Sequence, residues 1–147
     1  RLEELGSKIK VVDSQNADWD RNTAKDVAAT ILKTYPDLKI ICCNNDVMAM
    51  GALEAVKESG KTLNKDVYVI GMDGTDEAYE SIRANELSAT VSMYPLYESQ
   101  MATECAVRIL LGQEMPSVIW TPAMVTDATN VDADEADTIG WTDPTFE

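Results

Sequence analysis

The sequence predicts an α/β domain built on a parallel sheet flanked by helices. Three observations carry this. The runs Lys39–Cys43 and Val67–Ile70 are short, apolar and β-rich without polar alternation, as expected of strands buried on both faces. Stretches of helical periodicity lie between and after them. Strand and helix alternate at the intervals of repeated βαβ units.

The chain opens on Arg1–Gly6, which reads as the last turns of a helix closing at a glycine, so it is expected to begin in mid-domain. Ile9–Asp13 is expected as a short strand, and Ser14–Asp18 as a polar loop. Ala24, Val27, Ala28, Ile31, Leu32 and Tyr35 recur at helical spacing, which predicts a helix over Asp20–Tyr35, closed by Pro36-Asp37. Lys39–Cys43 follows as a buried strand. A helix then runs to about Ser59, with Asp46 as its expected N-cap and Gly60 past its end. Val67–Ile70 is the central strand, ending in Gly71-Met72-Asp73-Gly74-Thr75. A helix over about Thr75–Asn85, a strand over Leu87–Ser92, a helix over Pro95–Gly112 and a less regular strand over Val118–Thr126 complete the pattern. From Asp132 the tail is acidic and without periodicity, which predicts an extended segment with Trp141 and Phe146 as its only large apolar residues.

At 147 residues the chain can bury one core. Its 26 acidic and 12 basic residues give a formal charge of -14, which argues against nucleic acid or an anionic membrane as partner. No apolar run approaches the roughly 20 residues of a membrane span, so no membrane insertion is expected from this segment. The chain has no histidine, which removes the commonest general base and metal ligand together. Cys42, Cys43 and Cys105 are odd in number; the first two are expected as small buried hydrophobes.

Enzyme chemistry finds little support. Asp73-Gly74-Thr75 is similar to the phosphatase loop D-x-D-G-T of haloacid dehalogenases, but the nucleophile position is Gly71, which can neither attack a phosphoryl group nor help hold Mg²⁺. There is no glycine-rich phosphate loop and no C-x-x-C. Neither a catalytic residue, a metal site nor a cofactor is expected.

Binding fares better. Trp19, Asn45 and Asp73 each fall on a loop after a strand, and the carboxyl ends of parallel strands share one edge where ligands bind. An indole offers a flat face to ring C–H groups, while an amide and a carboxylate hydrogen-bond vicinal hydroxyls. That set suits a sugar or polyol. Each residue also has a purely structural account: Trp19 as a staple before a helix, Asn45 as a turn residue, Asp73 as a cap.

At these residues the chain strongly resembles the pentose- and hexose-binding periplasmic proteins of ABC importers, of the ribose- and allose-binding type (type I periplasmic binding proteins). The matching strings are Ala17-Asp18-Trp19-Asp20-Arg21, Asn44-Asn45-Asp46-Val47-Met48-Ala49-Met50-Gly51-Ala52, Val69-Ile70-Gly71-Met72-Asp73-Gly74-Thr75 and Leu87-Ser88-Ala89-Thr90-Val91, ordered and spaced as in that family over Ile9–Thr126. The resemblance implies a Rossmann-like sheet forming one lobe of a two-lobe receptor that closes on its ligand. Trp19 would be the stacking aromatic, Asn45 a hydroxyl ligand and Asp73 the key carboxylate. Where the family often has an aromatic and a glutamine, this chain has Met72 and Met93. A softer, less polar site follows, which suits a deoxy sugar, a polyol or a differently substituted sugar.

The resemblance also implies an organisation. Residues 1–93 would be the carboxyl-terminal lobe, incomplete at its start, and 94–117 a hinge crossing and helix that packs on a missing amino-terminal lobe. Residues 118–131 would be a returning strand and 132–147 the acidic tail. Leu96, Met101, Cys105, Ile109 and Leu110 would then lack their usual packing partner. The implied partners are a small sugar or polyol, an ABC permease and the missing lobe. The implied location is periplasmic or extracellular, with a lipid anchor as one means of attachment. The effector domain of a LacI-type transcription regulator shares this fold and is the main alternative; a haloacid-dehalogenase-like enzyme ranks below it.

Overall fold

The structure, a computed structural model, describes residue 2 and residues 4–133; the tail from 134 onward, with Trp141 and Phe146, lies outside the described residues. The first described residues form turns, with no helix among them. Gly6 adopts φ +63° and the Ser7 N–H donates to the Leu2 carbonyl at 2.9 Å.

Helix α1 (Arg21–Thr34) starts where the Asp20 carboxylate accepts from the Thr23 N–H, and it buries Ala24, Ala28 and Leu32 at four-residue intervals. Strand β1 (Ile40–Cys42) leads into α2 (Asp46–Glu58), whose residues from Met48 to Leu53 are all buried. This helix lies between α1 and the sheet. A side chain at Gly51 would meet the Arg21 carbonyl oxygen at 2.1 Å, so α1 and α2 touch backbone to backbone there.

Strand β2 (Tyr68–Ile70) follows, then α3 (Asp76–Arg83), capped by the Thr75 side chain accepting from the Ala78 N–H at 3.2 Å. Asp76 and Glu77 in its first turn and Arg83 in its last complement the helix dipole. Strand β3 (Ala89–Ser92), helix α4 (Pro95–Leu110) and strand β4 (Met124–Asp127) complete the order.

The sheet runs β1-β2-β3-β4. The first three strands are parallel, with Ile40 opposite Tyr68 and Ile70 opposite Ala89; β4 is antiparallel to β3, pairing Met124 with Ser92. The expected parallel sheet therefore carries an antiparallel edge. Val56, Val67, Val69, Ile82 and Leu87 form the middle of the core between α2, α3 and the sheet.

Three local expectations are corrected. Ile9–Asp13 forms no strand, and Ile9, Val11 and Val12 are exposed. A strand exists only through a neighbour's hydrogen bonds, and among the described residues nothing pairs with this segment. For the same reason β1 is an outer strand and only half-buried, so Cys42 is exposed rather than a core hydrophobe. Cys43 does turn inward, and burial, the largest cause, pushes its thiol up to about 12. The N-cap of α2 is Asn45 and not Asp46: the Asn45 Oδ1 accepts from the Met48 N–H at 2.8 Å. Along α4, Leu96, Ile109 and Leu110 are exposed as expected, whereas Met101 is buried and Cys105 half-buried.

Candidate functional site

The carboxyl ends of β1, β2 and β3 lie on one edge of the sheet, and the loops leaving them hold Asn45, Met72, Asp73 and Met93 of the residues singled out by sequence. The turn after β2 is bound most tightly. The parallel ladder continues past the strand: the Gly71 N–H donates to the Ala89 carbonyl at 3.0 Å and the Asp73 N–H to the Val91 carbonyl at 2.9 Å. The Met93 N–H donates to the Asp73 carbonyl at 3.1 Å, which brings Met93 beside Asp73.

Asp73 is fixed in a costly conformation. Its φ of 122° belongs to the region glycine favours, and it is no cap, because Thr75 performs that task. Such strain persists only where the surroundings over-determine it, and it gathers at functional sites. Its carboxyl pKa is raised, first by burial; the nearby Asp46 backbone N–H lowers it in part, while the Asp46 charge raises it.

Asn45 and Asp46 bring the β1 loop to the same point. Because Asn45 uses its Oδ1 to cap α2, its amide nitrogen remains as a donor. Trp19 arrives from the loop before α1. Ala17 packs with Ala24, Met48 and Cys43, which ties that loop to the start of α2 and the end of β1. Asp18 and Trp19 both have positive φ, of 49° and 60°, and the indole residue is 64% exposed. A large apolar ring held out in solvent on a strained backbone is a poor staple. Met72 is exposed and Met93 half-buried.

Among the described residues six non-glycine positions have positive φ. Asn64 and Asn85 lie before β2 and β3, at the opposite edge, and asparagine tolerates that conformation. Asp18, Trp19, Asp73 and Tyr94 lie at the carboxyl edge, and two of the four are bulky aromatics. The strain is concentrated on one side of the molecule.

Sequence reasoning missed the residue beneath this edge. Asp46 is 1% exposed. Its Oδ2 accepts from the Gly74 and Thr75 N–H groups, both at 2.9 Å, and from the Thr75 hydroxyl at 3.1 Å; its Oδ1 accepts from the Thr90 hydroxyl at 2.7 Å. Gly71 and Gly74 have specific reasons to be glycine. A Cβ at Gly71 would come within 2.2 Å of the Asp46 Oδ1, and one at Gly74, where φ is +80°, within 2.8 Å of the Tyr79 and Ser92 oxygens. The glycine that removes the phosphatase nucleophile thus makes room for a buried carboxylate. The available signal was two cap-capable residues in succession, Asn45 and Asp46, where one cap suffices.

A sequence profile described as a periplasmic binding protein domain matches residues 1–114. The chain belongs to the periplasmic binding protein domain family. Within the family it is 42% identical over 115 residues to a ribose import binding protein of Bacillus subtilis, covering 78% of this chain and 36% of that relative. It is 48% identical over 89 residues to a D-allose-binding periplasmic protein of Escherichia coli, covering 60% of this chain and 28% of the relative. Among solved structures, a Caulobacter myo-inositol binding protein bound to myo-inositol superposes with a TM-score of 0.80 at 34% identity, covering 94% of this chain and 47% of that one. The chain spans about a third of the length of the curated relatives. All three are named as binding proteins, which favours the receptor over the regulator and over an enzyme. Among the described residues no helix is long and apolar enough to cross a membrane.

Proposed function

We propose that this chain is the carboxyl-terminal portion of a periplasmic receptor that captures a sugar or polyol for an ABC importer. The observation that carries the reading is the strained Asp73 carboxylate, held at the sheet edge beside the Asn45 loop and Met93. In this reading Asp73 accepts from two ligand hydroxyls, Asn45 donates from its amide, and Trp19 stacks on the ring face. Met72 and Met93 line the site where a more polar receptor would add hydrogen-bonding groups. They favour a ligand with an apolar substituent, such as a deoxy sugar or a methylated polyol. Ribose, allose and inositol, borne by the relatives' names, set the size class.

The same reading accounts for the open surfaces. Leu96, Ile109 and Leu110 on α4 and the free edge of β1 are where the rest of the receptor packs: a second lobe on the helix, and a further strand between β1 and Ile9–Asp13. Closure of the lobes on ligand would be the state a permease recognises.

The test is thermal shift of the complete receptor against pentoses, hexoses, 6-deoxy sugars and inositols. A ligand at a thousandfold over its Kd stabilises by about 4 kcal/mol, a shift of several degrees. We expect one class to give it, and Asp73→Ala and Trp19→Ala each to remove it. A folded receptor that responds to none of the panel overturns the proposal.

A further inference from the structure

Asp46 is the one buried carboxylate in the described core, and its place in the fold sets it apart from an ordinary cap. It is the first residue of α2, so the positive end of that helix faces it. No lysine or arginine among the described residues forms an ion pair with it. Its charge is compensated by four donors from two other segments: three from the turn Gly74-Thr75 and one from Thr90 on β3. A single side chain therefore binds the turn directly after Asp73 and ties it to β3.

We infer that Asp46 is a positioning residue for ligand binding: it clamps the Gly74-Thr75 turn to α2 and β3, and so holds Asp73 in the strained conformation in which its carboxylate meets the ligand. The ligand part of this inference rests on the sugar-binding reading; the clamp does not. Freed of the clamp, the turn relaxes toward unstrained backbone angles and the carboxylate leaves its place. Asparagine is a poor replacement for Asp46. It keeps an acceptor for the three donors of the turn only if its amide nitrogen faces Thr90, whose hydroxyl must then turn from donor to acceptor, and it brings no charge to the turn or to the start of α2.

Two measurements test this. In amide exchange on the 147-residue chain, Asp46→Asn should cost the Gly74 and Thr75 amides at least tenfold in protection, while Val56 and Val69 stay within threefold. Thr90→Val, which removes one donor, should give a smaller loss confined to the same turn, and Thr90→Ser should restore protection. Those two variants decide the matter should Asp46→Asn not fold. Unchanged protection at Gly74 and Thr75, or a loss spread evenly over the Thr90→Val core, overturns the clamp.

The second measurement is calorimetry of the complete receptor with D-ribose, D-allose, D-fucose and myo-inositol. Asp46→Asn should raise Kd at least tenfold, and adding Asp73→Asn should raise it little further, because the first variant has already displaced that carboxylate. Trp19→Ala should add its full effect to either. Additive effects of Asp46→Asn and Asp73→Asn overturn the positioning role. If the wild-type receptor binds none of these probes, the sugar reading fails while the exchange result still decides the clamp.

Discussion

Asp73 combines a raised pKa with a backbone conformation few aspartates adopt, and both have measurable consequences. Its folded pKa lies above the unfolded value near 3.8. The folded state then binds the proton more readily, so this group's contribution to stability is full below that value and is lost as pH rises through the folded pKa. For ligand the sign reverses. If the ionised carboxylate accepts from hydroxyls, affinity falls on acidification, beginning at a higher pH than for an ordinary aspartate. Titration calorimetry from pH 7 downward checks this; Asp73→Asn should bind weakly with no such pH dependence. Trp19→Ala should change stability by under about 0.5 kcal/mol, as for other exposed positions, while weakening binding at least tenfold. The position of Asp73 just past a strand was legible because a buried strand and its turn are local features, whereas the strand expected before Trp19 does not form. Asp46 was not: its partners lie 28, 29 and 44 residues away, and no local pattern records that a turn so distant will bring its N–H groups to that carboxylate.

The elements show a similar division. Helices α1 to α4 all form near their expected bounds, since capping and periodicity are short-range properties. Ile9–Asp13 has the composition of a strand and still lacks strand structure, because pairing depends on a neighbour that composition does not name. Gly51 shows how close the α1–α2 contact is. Gly51→Ala would press a methyl into the Arg21 carbonyl, and since both atoms belong to helix backbones, neither can rotate away. The expected loss is about 2–3 kcal/mol by thermal unfolding, the scale of overpacking in a rigid core. The ion pairs of Arg21 with Glu54 across the same contact, at 3.1 Å, and with Glu77 on α3, at 2.9 Å, are exposed and screened by solvent, so they add little. Arg21→Ala should therefore cost far less than Gly51→Ala.

At the scale of the molecule, one end is closed by α2, α3 and the sheet, while α4 leaves Leu110 86% exposed with Ile109 and Leu111 beside it. Contiguous apolar surface of this kind marks an interface. Ile109→Lys and Leu110→Lys should leave the unfolding temperature of this chain within about 2 °C, because neither residue is packed in it. In the larger receptor proposed above, the same substitutions should lower it clearly. Equal behaviour in both would mean that α4 meets no second lobe.

The strained edge also bears on how this protein would respond to selection. Asp73, Trp19 and Tyr94 hold conformations that glycine or asparagine would adopt at lower cost. A search for heat-tolerant variants would drift toward such replacements and erode the edge first, leaving a sturdier domain without the binding site proposed above. Ligand therefore has to be present in any such screen.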